Sequence, residues 1–235
     1  MAFTYADVMR RASTILQDET ATRYSAIELF DWINQALVDV FTMKASAKTG
    51  VVQLPMVAGI QQTLPSEYAA LIHIRRNTGG AAVKMLDNLT TLDNWLPGWT
   101  NPAVLPNAAT VQFVYQDPLT PRNYVVVPGS TGTGTLEAVV AQAPNPGVAP
   151  TAAADKLDPT KYIANVDLPD QYQTAVLHFA LYRAFLKDGD NAASATQAQA
   201  HQAIGAKAIS DIAANELAMA PGARVASARR GAVGG

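Results

Sequence analysis

The three histidines are the first residues to consider for chemistry, because imidazole is a common metal ligand and a general base near neutral pH. His73, His178 and His201 are far apart in the sequence, lie in unrelated patterns and form no HExxH pair. A metal site built from paired histidines needs both rings on one face of an element. The sequence therefore predicts structural or surface histidines.

A short acidic stretch, residues 188–191, is similar to the start of a calcium-binding loop. An EF-hand loop requires Gly at its sixth position and Glu at its twelfth. Counted from Asp188, those positions hold Ala193 and Gln199. The end of one helix followed by an Asp or Asn cap explains these residues better, so we expect a helix junction here.

A glycine-rich stretch runs from Gly129 to Gly134 and precedes an extended run. A phosphate-binding loop instead needs a helix N-terminus directly after its glycines. We therefore predict a flexible hairpin loop without a ligand. No GxSxG motif is present, and the scattered Asp and Glu residues lie mostly at predicted helix caps. Nothing in the sequence indicates an enzyme, and we expect no catalytic, metal or cofactor-binding residue.

Basic residues occur as the short pairs Arg75-Arg76 and Arg229-Arg230, without a continuous stripe. Proteins that hold nucleic acid tightly carry clustered Lys and Arg residues. This chain has 17 Lys and Arg residues against 19 Asp and Glu residues, for a net charge of −2. The charge balance therefore indicates no strong attraction to DNA.

The composition favours a protein whose surface is largely covered by neighbours. Charged residues make up 15% of the 235 residues, although the hydrophobic fraction of 49% is that of an ordinary globular protein. The absence of cysteine excludes disulfides and thiolate metal sites. No apolar run is long enough to span a bilayer, and the N-terminus lacks a signal-peptide pattern. We expect a protein made and used in a cytoplasm, without a membrane partner.

Two amphipathic helices are predicted near the N-terminus, where Thr4 with Asp7 and Ser25 with Glu28 have the spacing of helix-capping pairs. Trp32 lies off the apolar stripe of the second helix. An exposed tryptophan on a helix indicates either a partner surface or a cover from elsewhere in the chain. Trp32 is therefore the candidate partner-surface residue, and cover by the β-rich region is the alternative.

The stretch from Leu168 to Gly189 predicts the central helix of the fold. Its large apolar residues recur at helical spacing on more than one face, so neighbouring elements must cover more than one side. We expect other helices on one side and a β-layer on another. A second, alanine-rich helix is predicted from Asn191 to about Met219.

Short extended runs separated by Gly and Pro turns occupy residues 50–141 and predict a small antiparallel sheet or sandwich. In the run from Leu71, strand alternation predicts Ile72 and Ile74 on the face opposite Leu71. The run 83–86 is predicted to return as a hairpin. The long Pro-rich connection of residues 142–167 is predicted to be an arm onto a neighbouring subunit.

Two segments carry a resemblance to a known family: LPDQYQTAVLHFALYRAFLKDG at residues 168–189 and DETATRYSAIELFDWINQAL at residues 18–37. Together they resemble the head-to-tail adaptor (head-completion) proteins of short-tailed phages, the tail tubular protein A type. The resemblance covers the N-terminal helices, the beginning of the β region and the central helix, and it is weak near position 150 and toward the C-terminus. These motifs identify a scaffold, since they are not catalytic.

The resemblance implies a structural virion protein of the tail or neck, assembled in the host cytoplasm. It implies a ring that joins the portal protein to the next tail component, a nozzle or tail tube. It further implies twelve neighbouring copies, matching the portal, and a channel through which DNA passes only as cargo. The alternatives that remain open are a monomeric binding module and an enzyme of unknown activity on the β-rich region.

The sequence thus predicts an α+β protein with three parts. Residues 1–48 and 166–220 form a helical bundle from both chain ends. Residues 49–165 form a β-rich antiparallel insertion that includes the Pro-rich loop. Residues 221–235 form an extended C-terminal arm.

The C-terminal arm contains small residues, three arginines and no acidic residue. A guanidinium group is suited to forked contacts with carboxylates and carbonyls of a partner. We therefore predict that Arg224, Arg229 and Arg230 contact the portal when the arm becomes ordered on docking.

Overall fold

The chain forms two compact units in a computed structural model that describes residues 2–187 and 192–219. One unit comprises Met1–Lys44 with Pro144–Gly235, and the other comprises Ala45–Ala143. The first is helical and the second β-rich, which confirms the predicted α+β class with terminal helices around a β-rich middle. The Pro-rich segment from Pro144 belongs to the helical unit, whereas the sequence predicts residues up to 165 within the β-rich insertion.

Five helices are described: α1 (Tyr5–Leu16), α2 (Ala26–Met43), α3 (Leu89–Trp95), α4 (Gln173–Lys187) and α5 (Ala192–Met219). Both predicted capping pairs are present. The Thr4 hydroxyl accepts from the Asp7 N–H, and the Asp7 carboxylate accepts from the Thr4 N–H, each at 3.1 Å. Ser25 and Glu28 make the same arrangement. These bonds satisfy N–H groups that a helix start leaves free, so α1 and α2 begin where the sequence predicts.

Helix α4 is the central element of the helical unit and packs against α1, α2 and α5. It begins later than predicted, because a short 3-10 turn, Asp170–Tyr172, follows Pro169. Its interior face is continuous, with buried Ala175, Val176, Leu177, Phe179, Ala180, Leu181 and Ala184. Helix α5 comes close at Gly205, where an added Cβ would lie 2.9 Å from the Phe179 ring. The short distance explains why a small residue is required there.

The Pro-rich segment packs along α1 and α2 of its own unit. The Tyr5 hydroxyl donates to the Asn34 Oδ1 at 2.6 Å, and the Gly147 N–H contacts both oxygens, at 2.8 and 2.9 Å. The Tyr162 ring packs against the Phe30 ring in a tilted arrangement, with centroids 5.1 Å apart. These contacts hold the segment on its own chain, where the sequence predicts an arm onto a neighbouring subunit.

Seven strands form the β-rich unit: β1 (Thr49–Pro55), β2 (Ala58–Thr63), β3 (Ala70–Asn77), β4 (Lys84–Leu86), β5 (Phe113–Gln116), β6 (Asn123–Thr131) and β7 (Thr135–Ala141). One antiparallel sheet has the order β1-β7-β3, and a second sheet has the order β2-β6-β5-β4. Both sheets contribute to one buried apolar core, which includes Leu54, Ile74, Val114, Val126, Leu136 and Val140. The two sheets pack over a shared core and form the small sandwich that the sequence predicts.

Strand β3 departs from simple alternation. Leu71 and Ile74 are both buried, while Ile72 is exposed. The register against β7 shifts between Leu71 and His73 and again between Ile74 and Arg76. Each bulge inserts a residue and turns the following side chains to the other face. The predicted common face for Ile72 and Ile74 is therefore wrong.

One predicted hairpin is present only at its turn, and a second is wrong. Strand β4 pairs with β5 in parallel, whereas the residues just before β4 return along β3 at the Arg76–Ala82 bridge, where the Val83 N–H donates to the Arg75 carbonyl at 3.2 Å. Strands β6 and β7 lie in different sheets, so the glycine-rich stretch carries the chain from one sheet to the other. Ser130 is fully buried within β6. Gly134 has no room for a side chain, because an added Cβ would lie 2.1 Å from the Ala109 carbonyl oxygen.

Candidate interaction surfaces

Trp32 is half-buried on α2 instead of exposed. Its ring meets the ring of Tyr24 edge-on, with centroids 6.2 Å apart. The charged ends of Arg23 and Lys187 lie 5.6 and 5.7 Å from the Tyr24 ring centroid. The chain itself therefore covers part of the tryptophan through Tyr24, and the remaining face is open to a partner.

Lys187 joins the end of α4 to the start of α2 beside this aromatic pair. Its Nζ donates to the Glu28 carboxylate at 2.7 Å and to the Arg23 carbonyl at 2.9 Å. The hydrogen bond from Lys187 is the main cause that lowers the pKa of Glu28 below its usual value. The Glu28 carboxylate therefore stays charged at neutral pH and serves both the cap of α2 and the contact with α4.

The predicted portal-contacting residues Arg224, Arg229 and Arg230 lie outside the described residues, as does the predicted helix junction at residues 188–191. The pair Arg75-Arg76 lies within the described residues. Arg75 and Arg76 both approach Glu137, at 3.4 and 3.9 Å. One carboxylate thus balances part of the charge of the pair, which agrees with the absence of a basic stripe in the sequence.

A histidine pair joins α4 to α5 and was not predicted from the sequence. The Nδ1 atoms of His178 and His201 lie 2.8 Å apart, and the rings stack with centroids 5.0 Å apart. Phe185 stacks on His201 at 5.2 Å. Burial lowers the pKa of both histidines, and the charge of His201 lowers the pKa of His178 further. One ring donates and the other accepts, so the contact requires at least one neutral imidazole.

The pair was missed because its two members lie on different helices, with 23 positions between them in the numbering. One signal was nevertheless present in the sequence. His201 falls at helical spacing from Ala198 and Gly205, the small residues that mark the packed face of α5. Small residues on one face of a long helix thus locate its contact with a neighbour, although they do not identify that neighbour.

A groove of about 350 Å³ has α4 as its floor, with α2 and α5 on either side. Its wall carries an ion pair between Arg183 and Asp39 at 2.6 Å, and Arg183 Nε also donates to Gln35 at 2.8 Å. Met43 and Tyr182 supply apolar surface to the same groove. Methionine, tyrosine and a partly exposed ion pair are typical of a protein contact surface.

A larger cleft of about 670 Å³ lies between α1 and the turn around Pro159. Two of its carboxylates already have partners, since Asp7 caps α1 and Asp158 accepts from the Thr160 N–H and hydroxyl at 2.9 and 2.7 Å. Hydrogen bonds from Thr4 and Thr160 lower the pKa of Asp7 and Asp158 respectively. An acid–base catalyst at neutral pH needs a raised carboxyl pKa, so these residues fit a structural role.

Within residues 2–187 and 192–219, no three His, Asp or Glu side chains converge to hold a metal ion. In the same part of the chain, no helix is both long and apolar enough to cross a membrane. Large apolar side chains are nevertheless exposed in both units, among them Val38, Met43, Val51, Trp95, Val104 and Leu119. Such side chains are ordinary when they are scattered singly, whereas a continuous apolar patch would mark a contact with another protein.

A family model described as the SU10 adaptor protein matches residues 3–228, which is nearly the whole chain. The chain therefore belongs to the SU10 adaptor protein family, whose members are phage structural adaptor proteins. No match was found among curated proteins. The adaptor class expected from the two sequence segments is thus confirmed, while the short-tailed, tail tubular protein A subtype stays a prediction.

Proposed function

We propose that this protein is a ring-forming head-to-tail adaptor that joins the portal protein to the next tail component and leaves a channel for DNA. The family match over residues 3–228 carries the proposal. The ring contains twelve copies, to match the portal, and belongs to the neck of a short-tailed virion assembled in the host cytoplasm. A nozzle or tail tube is the partner on the tail side, and DNA is passing cargo.

The surface chemistry of the described residues supports a role in assembly. Exposed apolar side chains occur on several elements, and Trp95 at the end of α3 is 68% exposed. Each such side chain gains free energy when a partner removes it from water. With charged residues at only 15%, the chain has few groups that would oppose extensive protein contacts.

The portal contact is assigned to Arg224, Arg229 and Arg230, and Trp32 is a second contact residue on α2. The basis for the arginines is their sequence context, since no Asp or Glu follows Glu216. A segment of small residues with three guanidinium groups gains little by folding on itself and more by pairing with carboxylates or carbonyls of a partner.

Mass measurement of the intact complex tests the proposal. The purified protein alone and its mixture with portal rings are measured by native mass spectrometry. We expect a monomer or small oligomer alone and twelve copies on each portal ring, because binding to the portal stabilises the assembled state. Complete rings without portal would contradict portal-templated assembly. A monomer that does not bind portal would contradict the adaptor function and favour a monomeric binding module.

Deletion of residues 221–235 tests the arm separately. We expect the melting temperature of the free protein to stay unchanged while attachment to the portal is lost. The matched control replaces Arg10 and Arg11, exposed arginines on α1, with glutamine. That control should still attach. Full attachment of the truncated protein, or its failure to fold, would contradict the hypothesis that the arm binds the portal. The adaptor function would still be tested by the mass measurement.

A further inference from the structure

The two sheets of the β-rich unit have four edges, and three of them are protected against pairing with another strand. Strand β4 has only three residues, and β2 is interrupted by a register shift between Gly59 and Gln61. Strand β3 is covered by backbone contacts: the Val83 N–H donates to the Arg75 carbonyl at 3.2 Å. Short length, bulges and covering segments are the devices that keep an edge from recruiting a further strand. Strand β1 has none of these three devices, although it ends in Pro55, which lacks an N–H.

The alternation of hydrogen-bonded and non-bonded pairs along β1 shows which of its peptide groups bond to β7. Just beyond the two ends of the pairing, the Gln142 N–H donates to the Lys48 carbonyl at 2.9 Å and the Met56 N–H donates to the Gly134 carbonyl at 3.0 Å. Bonded and non-bonded pairs alternate along an antiparallel ladder. The even-numbered residues of β1 therefore bond to β7, and the odd-numbered residues Thr49, Val51 and Gln53 point their N–H and C=O groups to the open side.

The hydrogen bonds between β7 and β3, on the other side of β7, confirm this alternation independently. The carbonyls of Ala141 and Thr135 accept from the Ala69 and Thr78 N–H groups at the two ends of the β3 pairing, each at 2.9 Å. Odd-numbered residues of β7 thus bond to β3, and even-numbered residues bond to β1. The hydrogen bonds on both sides of β7 therefore agree on which peptide groups of β1 are free.

The open edge is also exposed and uncharged. Thr49, Val51 and Gln53 are exposed, and the Val51 side chain retains 53% of its accessible surface. No charged residue occurs between Lys48 and Glu67. Natural sheet edges in contact with water are usually guarded by charge, most often lysine. An unguarded edge of this length is therefore suited to a partner.

We infer that β1 is a docking edge that binds a second copy of this chain in the assembled ring, an inference that rests on the proposed function. A ring of identical subunits requires two different surfaces on each copy. The same unit offers an uncharged counterpart, the connection 96–112 between α3 and β5, which contains Val104 at 56% exposure. A second copy thus matches the edge in its lack of charge.

Three substitutions at Val51 separate the backbone from the side chain. Val51→Pro removes a peptide N–H that the sheet itself does not use, Val51→Lys adds the guarding charge, and Val51→Thr keeps both the N–H and the β-branched shape. Val148→Pro is the matched control, since Val148 is exposed and lies in the Pro-rich segment. The melting temperature of each variant is measured first, and Val51→Lys stands in for the proline variant if the latter does not fold.

The readout is the number of copies on each portal ring as the protein concentration increases. We expect Val51→Pro and Val51→Lys to require at least about tenfold more protein for a complete ring, whereas Val51→Thr and Val148→Pro behave as the unsubstituted chain. Complete rings from the Val51→Lys and Val51→Pro proteins at the normal concentration would overturn the docking edge.

The two proposals fail in different ways. If the unsubstituted chain does not bind portal, the proposed function is overturned. The docking edge is then judged by sedimentation of the free protein at high concentration. There, self-association that Val51→Lys weakens at least about tenfold supports the edge, and self-association that it leaves unchanged, or none at all, overturns it.

Discussion

The helical unit and the β-rich unit differ in how deeply they bury the polar side chains that join their elements. In the helical unit, ion pairs connect neighbouring helices: Arg183 with Asp39 at 2.6 Å, Lys187 with Glu28 at 2.7 Å and Lys44 with Glu216 at 2.6 Å. In the β-rich unit, the amide side chains of Asn77 and Gln62 are buried and bond to main-chain groups. The first kind of contact keeps partial access to water, and the second does not.

Asn77 shows why the β-rich unit needs such residues. Its Oδ1 accepts from the Val111 N–H and its Nδ2 donates to the Val111 carbonyl, both at 2.8 Å. Gln62 serves the turn at Val57 in the same way, with two bonds of 2.8 Å. Helices pair their own main-chain groups, whereas irregular connections between strands leave buried groups that a side chain must satisfy. The helical unit should therefore depend on packing, and the β-rich unit on a few buried amides.

The largest effect is expected where the packing of the helical unit is broken. Phe179 is 3% exposed and lies against Gly205. Phe179→Ala should lower the free energy of unfolding by about 3–5 kcal/mol, measured by urea denaturation. The companion prediction, a cost of about 1 kcal/mol for Asp190→Ala as a lost helix cap, concerns a position outside the described residues. Equal losses from the two substitutions would contradict the central role of α4.

A buried amide in the β-rich unit should come next. Asn77→Ala leaves the Val111 N–H and carbonyl without their partner in a dry interior, at a cost of about 3 kcal/mol. Asn94→Ala on the exposed surface of α3 is the control and should change the stability by less than about 0.5 kcal/mol. Urea denaturation of both variants provides the measurement. A loss at Asn77 no larger than at Asn94 would remove the contrast between the units.

An ion pair of the helical unit should matter less. Asp39→Asn keeps the shape of the side chain and removes the charge that faces Arg183. We expect a loss of about 1 kcal/mol or less, and a smaller difference in about 1 M salt, because both partners are reached by solvent. The control is Asp211→Asn, because Asp211 pairs with Lys207 on the exposed surface of α5. This substitution should cause no measurable loss of stability. A cost at Asp39 as large as at Asn77 would overturn the comparison.

The weakest effect is expected from the histidine pair, and it depends on pH. The pKa values of His178 and His201 are lowered in the folded protein, chiefly by burial. A group whose pKa is lowered by folding stabilises the folded protein at any pH above its pKa in the unfolded chain, which is near 6.5. This stability is lost as the pH falls through the pKa of the group in the folded protein. Stability should therefore decrease between about pH 7 and pH 5, where imidazole gains its proton.

Urea midpoints across this pH range check the histidine prediction. The double variant His178→Gln with His201→Gln should show a flatter pH dependence than the unsubstituted chain. His73→Gln replaces an exposed histidine on β3 and should leave the dependence unchanged. If the double variant and the unsubstituted chain respond equally to acid, the pair does not contribute to the contact between α4 and α5.

The sequence alone determined the features that depend on neighbouring residues. Thr4 and Ser25 specify the starts of α1 and α2, because each cap bonds to a residue three positions away. The helix Ala192–Met219 follows equally from local pattern. Two segments of the chain also sufficed for the adaptor class, since family motifs are a property of the sequence. Among the candidate site residues, the sequence identified Trp32, but it did not show how far Tyr24 covers the Trp32 ring.

Only the tertiary structure decided the features that join distant residues. The bulges of β3 depend on the register against β7, and Asn77 meets Val111 across 34 positions. The contact between His178 and His201, the parallel pairing of β4 and the open edge of β1 likewise depend on which elements become neighbours. Alternation and helical spacing assign residues to faces, but a single inserted residue or a change of sheet reverses that assignment. Pairing between distant segments is fixed by the whole core, and local pattern therefore cannot predict it.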